Sequence, residues 1–174
     1  MYLMSHETTL AQALRFSEAD LSANRTGVLS ESQATLLQTR KSRLMFIGIN
    51  AFFVLAFIAT VFIFLGSKPD NAGILTIIGI GLTICNALVM GILFRQWLKL
   101  NADTSAQKVA IITGKLERVL KPLNRRVITY IIRVNDTETV IPKDVFVAFV
   151  HGKTYTLYRT PYTGILLSAE RGES

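Results

Sequence analysis

The side chains able to do chemistry are few and scattered. Cys85 is the single cysteine, and the two histidines, His6 and His151, stand far apart in the chain with no close carboxylate pair beside either. One thiol forms no intramolecular disulfide and completes no CxxC metal frame. No Walker or dinucleotide-type glycine loop, HExxH or GxSxG motif occurs. An aromatic and basic constellation remains: Arg125, Arg126, Tyr130 and Arg133 in one stretch, with Tyr155, Tyr158, Arg159 and Tyr162 in another. Tyr and Arg join large contact area to directional polar ends, which suits them to interface hot spots. The same side chains can stack single-stranded nucleic acid. Tyr130 and Tyr155 also fit alternation into a β core. The expected chemistry is binding, with no catalytic set, no cofactor and no metal, and with Arg125, Arg126, Arg133, Tyr158, Arg159 and Tyr162 as the candidate face for a partner or lipid.

The elements that must position these residues are dominated by two apolar blocks. Leu44 to Gly66 and Ala72 to Phe94 are uninterrupted, and the only formal charges between their ends lie in the SKPDN connector. A bilayer core of about 30 Å takes about 20 apolar residues of helix, and each block slightly exceeds that. The pair reads as a transmembrane α-helical hairpin. Its first block is too long for a signal-peptide h-region and follows a polar arm, so it is expected to stay in the mature protein. The chain then divides into an N-terminal helical arm at 1–43, the hairpin at 44–94 and a tail at 95–174.

Charge sets the expected orientation. Arg40, Lys41 and Arg43 precede the first block and Arg95 and Lys99 follow the second, while the connector holds Lys68 against Asp70. The positive-inside rule puts both termini in the cytoplasm and residues 67–71 outside. From Arg95 onward there are 13 Lys/Arg against seven Asp/Glu, so most of the net charge of +7 lies in the tail. Anionic lipid headgroups are its nearest complement, at about 1 kcal/mol per near-surface basic residue. Nucleic acid is the less favoured partner, because the charge is only partly clustered.

Within the blocks there is no Asp, Glu, Lys, Arg or His, which disfavours a proton relay or charged ion path. Asn50 and Asn86 lie at matching depth, about 10 to 14 Å from the cytoplasmic boundary at 1.5 Å per residue. An Asn50–Asn86 hydrogen bond worth about 0.6 to 2 kcal/mol is expected to register the two helices. Thr83, Ala87 and Gly91, with Gly79 one turn earlier, form a small-xxx-small stripe that permits close helix approach.

The arm reads as a short helix-turn-helix. Ser17 caps a first helix with acids in its opening turn, Gly27 suits the position just past its end, and Ser30 with Gln33 makes a second capping box. No Gly or Pro interrupts the sequence from Ser30 into the first block, so one rod to Gly66 is expected, with Phe16, Leu21, Val28 and Leu29 as a local core for the arm. From Val109 onward five short β-type runs alternate with turn formers, and KDVFVAFV is a helical insert after the third. This order predicts a small all-β barrel, closed or half-closed, of OB-like or SH3-like type. Gly114 inside the first run predicts a bulge or bend.

The segments YTLYRTPYTGILLSAE and FSEADLSANRTGVLSESQ resemble an uncharacterised group of bacterial membrane proteins with two spans and a small C-terminal β domain. That resemblance implies an architecture and no activity. The function expected is that of a non-catalytic accessory or scaffolding subunit, docked to an integral membrane protein complex of a bacterial inner membrane. Two alternatives stand beside it: a membrane-tethered ligand- or nucleic-acid-binding regulator, and a subunit that completes an active or cofactor site only with a partner chain.

Overall fold

A computed structural model describes residues 10–68, 73–124 and 127–172. His6, residues 69–72 of the connector, and Arg125 and Arg126 therefore lie outside the described residues. The chain forms two compact units, one made of Met1–Thr35 with Ser105–Ser174 and the other of Leu36–Thr104.

The second unit consists of most of two long helices, α2 at Glu31–Gly66 and α3 at Ile74–Ala106, which follow α1 at Glu18–Arg25. The expected single rod into the first apolar block is present as α2, because nothing between Ser30 and Gly66 breaks the helical hydrogen-bond ladder. Both helices are long and apolar enough to cross a membrane. Their outward faces carry large exposed apolar side chains, including Phe46, Phe53, Phe57 and Phe64 on α2 and Ile77, Leu88 and Ile92 on α3.

In the first unit the tail folds into β1 at Ala110–Asn124, β2 at Val127–Val134, β3 at Thr137–Val140, α4 at Lys143–Ala148, β4 at Thr154–Arg159 and β5 at Leu166–Arg171. All pairings are antiparallel, in the order β3-β2-β1-β4-β5. Strand β1 is the spine: Ala110 to Lys115 pair with β4, and Leu116 to Asn124 pair with β2. The sheet is not closed, which corrects the expectation of a closed barrel: β3 and β5 are its two free edges. Helices supply the cover that closure would have supplied. Val145 and Phe146 of α4, Phe149 just after it, and Leu10 of the helical segment at residues 10–14 all enter the core with Leu116, Ile132, Tyr155 and Leu157. Edge β3 is only four residues long and edge β5 packs against α1, two devices that blunt strand-to-strand association.

Gly114 pairs with Tyr155 in unbroken register, so no bulge occurs there. Its reason is close approach: an added Cβ would lie 2.5 Å from Asn135 Oδ1 and 3.0 Å from Val134 Cγ1. Asn135 in turn donates to the Thr113 carbonyl at 3.2 Å, holding the β2–β3 turn over β1.

The arm is not an independent unit with a local core of its own. Leu21 and Leu29 are buried, but Phe16 is half-buried and Val28 exposed, and Leu10 belongs to the core of the sheet. An isolated bridge between Val28 and Lys108, with Leu29 N–H to Gln107 O at 3.1 Å and Val109 N–H to Gly27 O at 2.9 Å, ties the arm to the start of the tail.

Candidate functional site

Buried and half-buried positions on α2 recur every three or four residues, at Lys41, Leu44, Gly48, Ala51, Leu55, Ala59, Phe62 and Gly66. On α3 the matching row is Gly79, Leu82, Asn86, Met90, Leu93 and Trp97. This spacing makes an antiparallel seam of the coiled-coil kind. Backbones approach closely at two glycines: a Cβ on Gly66 would run into the Thr76 backbone nitrogen, and one on Gly79 would sit 2.5 Å from Ile63 Cγ1 and 2.9 Å from the Ala59 carbonyl.

The expected Asn50–Asn86 bond is not formed. Asn86 is buried and donates across the seam to the Phe52 carbonyl at 3.3 Å, whereas exposed Asn50 donates to Phe46 O of its own helix at 2.7 Å. Rotation about the helix axis separates them: Asn50 is two residues, about 200° of helix, from Gly48 on the seam. Thr83 donates to Gly79 O at 2.9 Å, and Ala87 and Gly91 are exposed. A Cβ on Gly91 would meet nothing within 4 Å. Thr83, Ala87 and Gly91 thus lie beside the α2–α3 seam rather than in it, and of this stripe and its neighbour Gly79 only Gly79 makes a close approach to α2. Two seam residues escaped the sequence reading. Lys41 Nζ donates to Asn101 Oδ1 at 2.6 Å and stands 5.5 Å from the Trp97 ring centroid, which stacks on Phe94. The available signal was one tryptophan at a block end among basic residues, the composition of an interfacial anchor.

In the first unit the aromatic and basic constellation is dispersed. Arg133 sits between Glu117 and Glu138 on the neighbouring strands, bonding Glu138 at 2.6 Å with Glu117 at 3.6 Å, while Lys121 reaches Glu138 at 2.7 Å. Lys121 and Arg133 together hold the Glu138 carboxyl below its usual range. Tyr155 is buried, accepting at its hydroxyl from Val150 N–H at 3.1 Å, and Tyr130 packs on the Phe146 ring. Tyr158 is only 2% exposed, so its ring is not offered to a partner. Arg159 is half-buried with its Nε lacking a partner among the described residues, and Tyr162 is exposed.

What these residues build is a polar junction between the arm and the outer strand. The Tyr158 hydroxyl donates to Glu170, which also receives the Arg25 guanidinium. Burial and the adjacent carboxylate push the Tyr158 phenol up to about 12. Burial alone would raise Glu170, but the hydrogen bonds from Arg25 and Tyr158 outweigh it and hold that carboxyl low. Asn24 Nδ2 donates to Ser168 Oγ at 2.6 Å, and both residues are fully buried. Nearby Asp20 closes the Ser17 capping box, with Ser17 N–H donating at 2.8 Å, and also accepts from the hydroxyls of Ser30 and Ser32. These bonds overcome the desolvation of Asp20 and hold it at about 2. The cap was legible in the sequence; the sharing of Asp20 between two helix starts was not.

No protein-family model matches this chain, and neither the curated proteins nor the solved structures contain a significant match to it.

Proposed function

We propose that the chain is a non-catalytic accessory subunit of a larger bacterial inner-membrane complex, with α2 and α3 crossing the bilayer as a hairpin and both termini in the cytoplasm. The observation that carries this reading is the outward Thr83, Ala87 and Gly91 face, which stays open while Gly79 serves the internal seam. Lipid gives helices little hydrophobic reason to associate, so a smooth face is useful where another backbone packs closely. The orientation rests on the basic residues flanking both apolar blocks. With Cys85→Ser as background, an impermeant thiol reagent should label Ser67→Cys and spare Lys153→Cys in intact cells.

Gly91→Leu tests the docking face. Leu is favourable in lipid and has open space at this site, so insertion and the fold of the sheet should persist. Mild-detergent purification should then lose the stoichiometric membrane partners that accompany the wild-type chain. Full retention of those partners removes this face from the proposal, and turnover by the isolated wild-type protein removes the non-catalytic reading.

A further inference from the structure

At the Lys41–Trp97 end of the helical pair the seam opens into a cleft of about 280 Å³. Its walls are apolar, formed by Leu44 and Gly48 from α2 and by Met90, Leu93 and Trp97 from α3. Gly48 has no side chain to fill the space, and a Cβ there would touch only Leu93 Cδ1 at an ordinary 3.7 Å. The Trp97 indole N–H is buried without an acceptor among the described residues. Lys41 lies against the same ring, Arg40 is one turn beyond Leu44, and Arg43 and Arg95 flank the walls in sequence. Arg43 and Arg95 join none of the ion pairs formed among the described residues. An apolar slot with an idle N–H donor and excess positive charge at one end is complementary to an amphiphile with a hydrocarbon chain and an anionic head.

We propose that this cleft is a binding site for one anionic glycerophospholipid. An acyl chain fills the slot over Gly48, and the phosphodiester accepts hydrogen bonds from Lys41, which lies against the Trp97 ring, while Arg40, Arg43 and Arg95 add positive charge around that end. A polar oxygen of the lipid takes the Trp97 N–H. The proposal rests on the bilayer-spanning reading of α2 and α3. It does not depend on the docking face, because Thr83, Ala87 and Gly91 are not among the lining residues.

Trp97 is the only tryptophan, so its fluorescence reports on the cleft directly. The full chain is reconstituted in phosphatidylcholine bilayers containing increasing fractions of phosphatidylglycerol with brominated acyl chains, and in parallel brominated phosphatidylcholine. Bromine quenches the indole on contact. The anionic lipid should reach half-maximal quenching at a fraction lower by at least about fivefold, the ratio expected of one near-surface basic contact. Gly48→Leu should abolish that preference by filling the slot, and Lys41→Gln should reduce it, with helicity and insertion checked by circular dichroism and alkaline extraction. Equal quenching by both lipids, or a preference that survives Gly48→Leu, overturns the site while leaving the bilayer-spanning reading intact. Absence of quenching by either lipid overturns both.

Discussion

Asn24 and Ser168 meet at 2.6 Å in a buried hydrogen bond across 144 residues of chain. The bond fastens α1 to β5 and makes the arm a layer of the β unit. Removing one partner leaves the other polar group buried and unsatisfied, at a cost of about 1 to 3 kcal/mol. Asn24→Ala should therefore speed hydrogen exchange across residues 18–25 by about one to two orders of magnitude, and adding Ser168→Ala should cost less than the sum of the single changes. Additive effects would mean that the two side chains act independently.

Acid should loosen the same junction. Asp20 is held at about 2, below its usual 3.8, so the folded state favours its ionised form. The stability this contributes is fully present above about pH 4 and is lost as pH falls toward 2. Amide exchange in α1 and at the start of α2, corrected for intrinsic rates, should rise through that window. Asp20→Asn should flatten the response, leaving the smaller share that belongs to Glu170, whose carboxyl is also lowered.

Alkali should act through Tyr158. Its phenol is raised from 10 to about 12, so its contribution is intact below pH 10 and disappears as pH climbs toward 12. An ultraviolet absorbance titration should show a late-ionising tyrosine that vanishes in Tyr158→Phe. Retention of the whole late phase in that variant would assign it to another of the five tyrosines.

On the helical pair, the two asparagines should behave differently. Asn86→Leu removes the bond to Phe52 and crowds the seam, a loss of about 1 to 2 kcal/mol. Asn50→Leu replaces an exposed polar group on an apolar face and should be neutral or stabilising. The double variant should be additive within about 0.5 kcal/mol, because the residues share no bond. A strong coupling between them in lipid would show that they do meet.

Local rules were readable wherever the partner lay within a few residues. The Ser17 and Ser30 caps, the positive φ of Gly27, the run of α2 and the succession of strands and helix along the tail all depend on short-range hydrogen bonds and periodicity. Rotation about a helix axis is less legible. A uniformly apolar helix has almost no amphipathic signal, so composition could not say that Asn50 faces out while Asn86 faces in. Sheet closure was also beyond reach, since it depends on whether Leu10 and α4 cover the open face, a pairing of distant segments. Tyr158 and Arg133 fit an interface by type, yet one is buried beside Glu170 and the other is spent between Glu117 and Glu138.

The arm that docks on β5 is synthesised well before the strand that receives it. Until Ser168 has emerged from the ribosome, Asn24 has nothing to bond and the core position of Leu10 does not exist. Pairing of α2 with α3 shortens the wait in an entropic sense. Once Lys41 reaches Asn101, the intervening residues no longer count as free loop, and the loop still to be closed shrinks to the two flanking stretches. Loop-closure entropy therefore favours helix pairing ahead of arm docking, and spoiling the pair at Gly79 lengthens the loop that arm docking has to close.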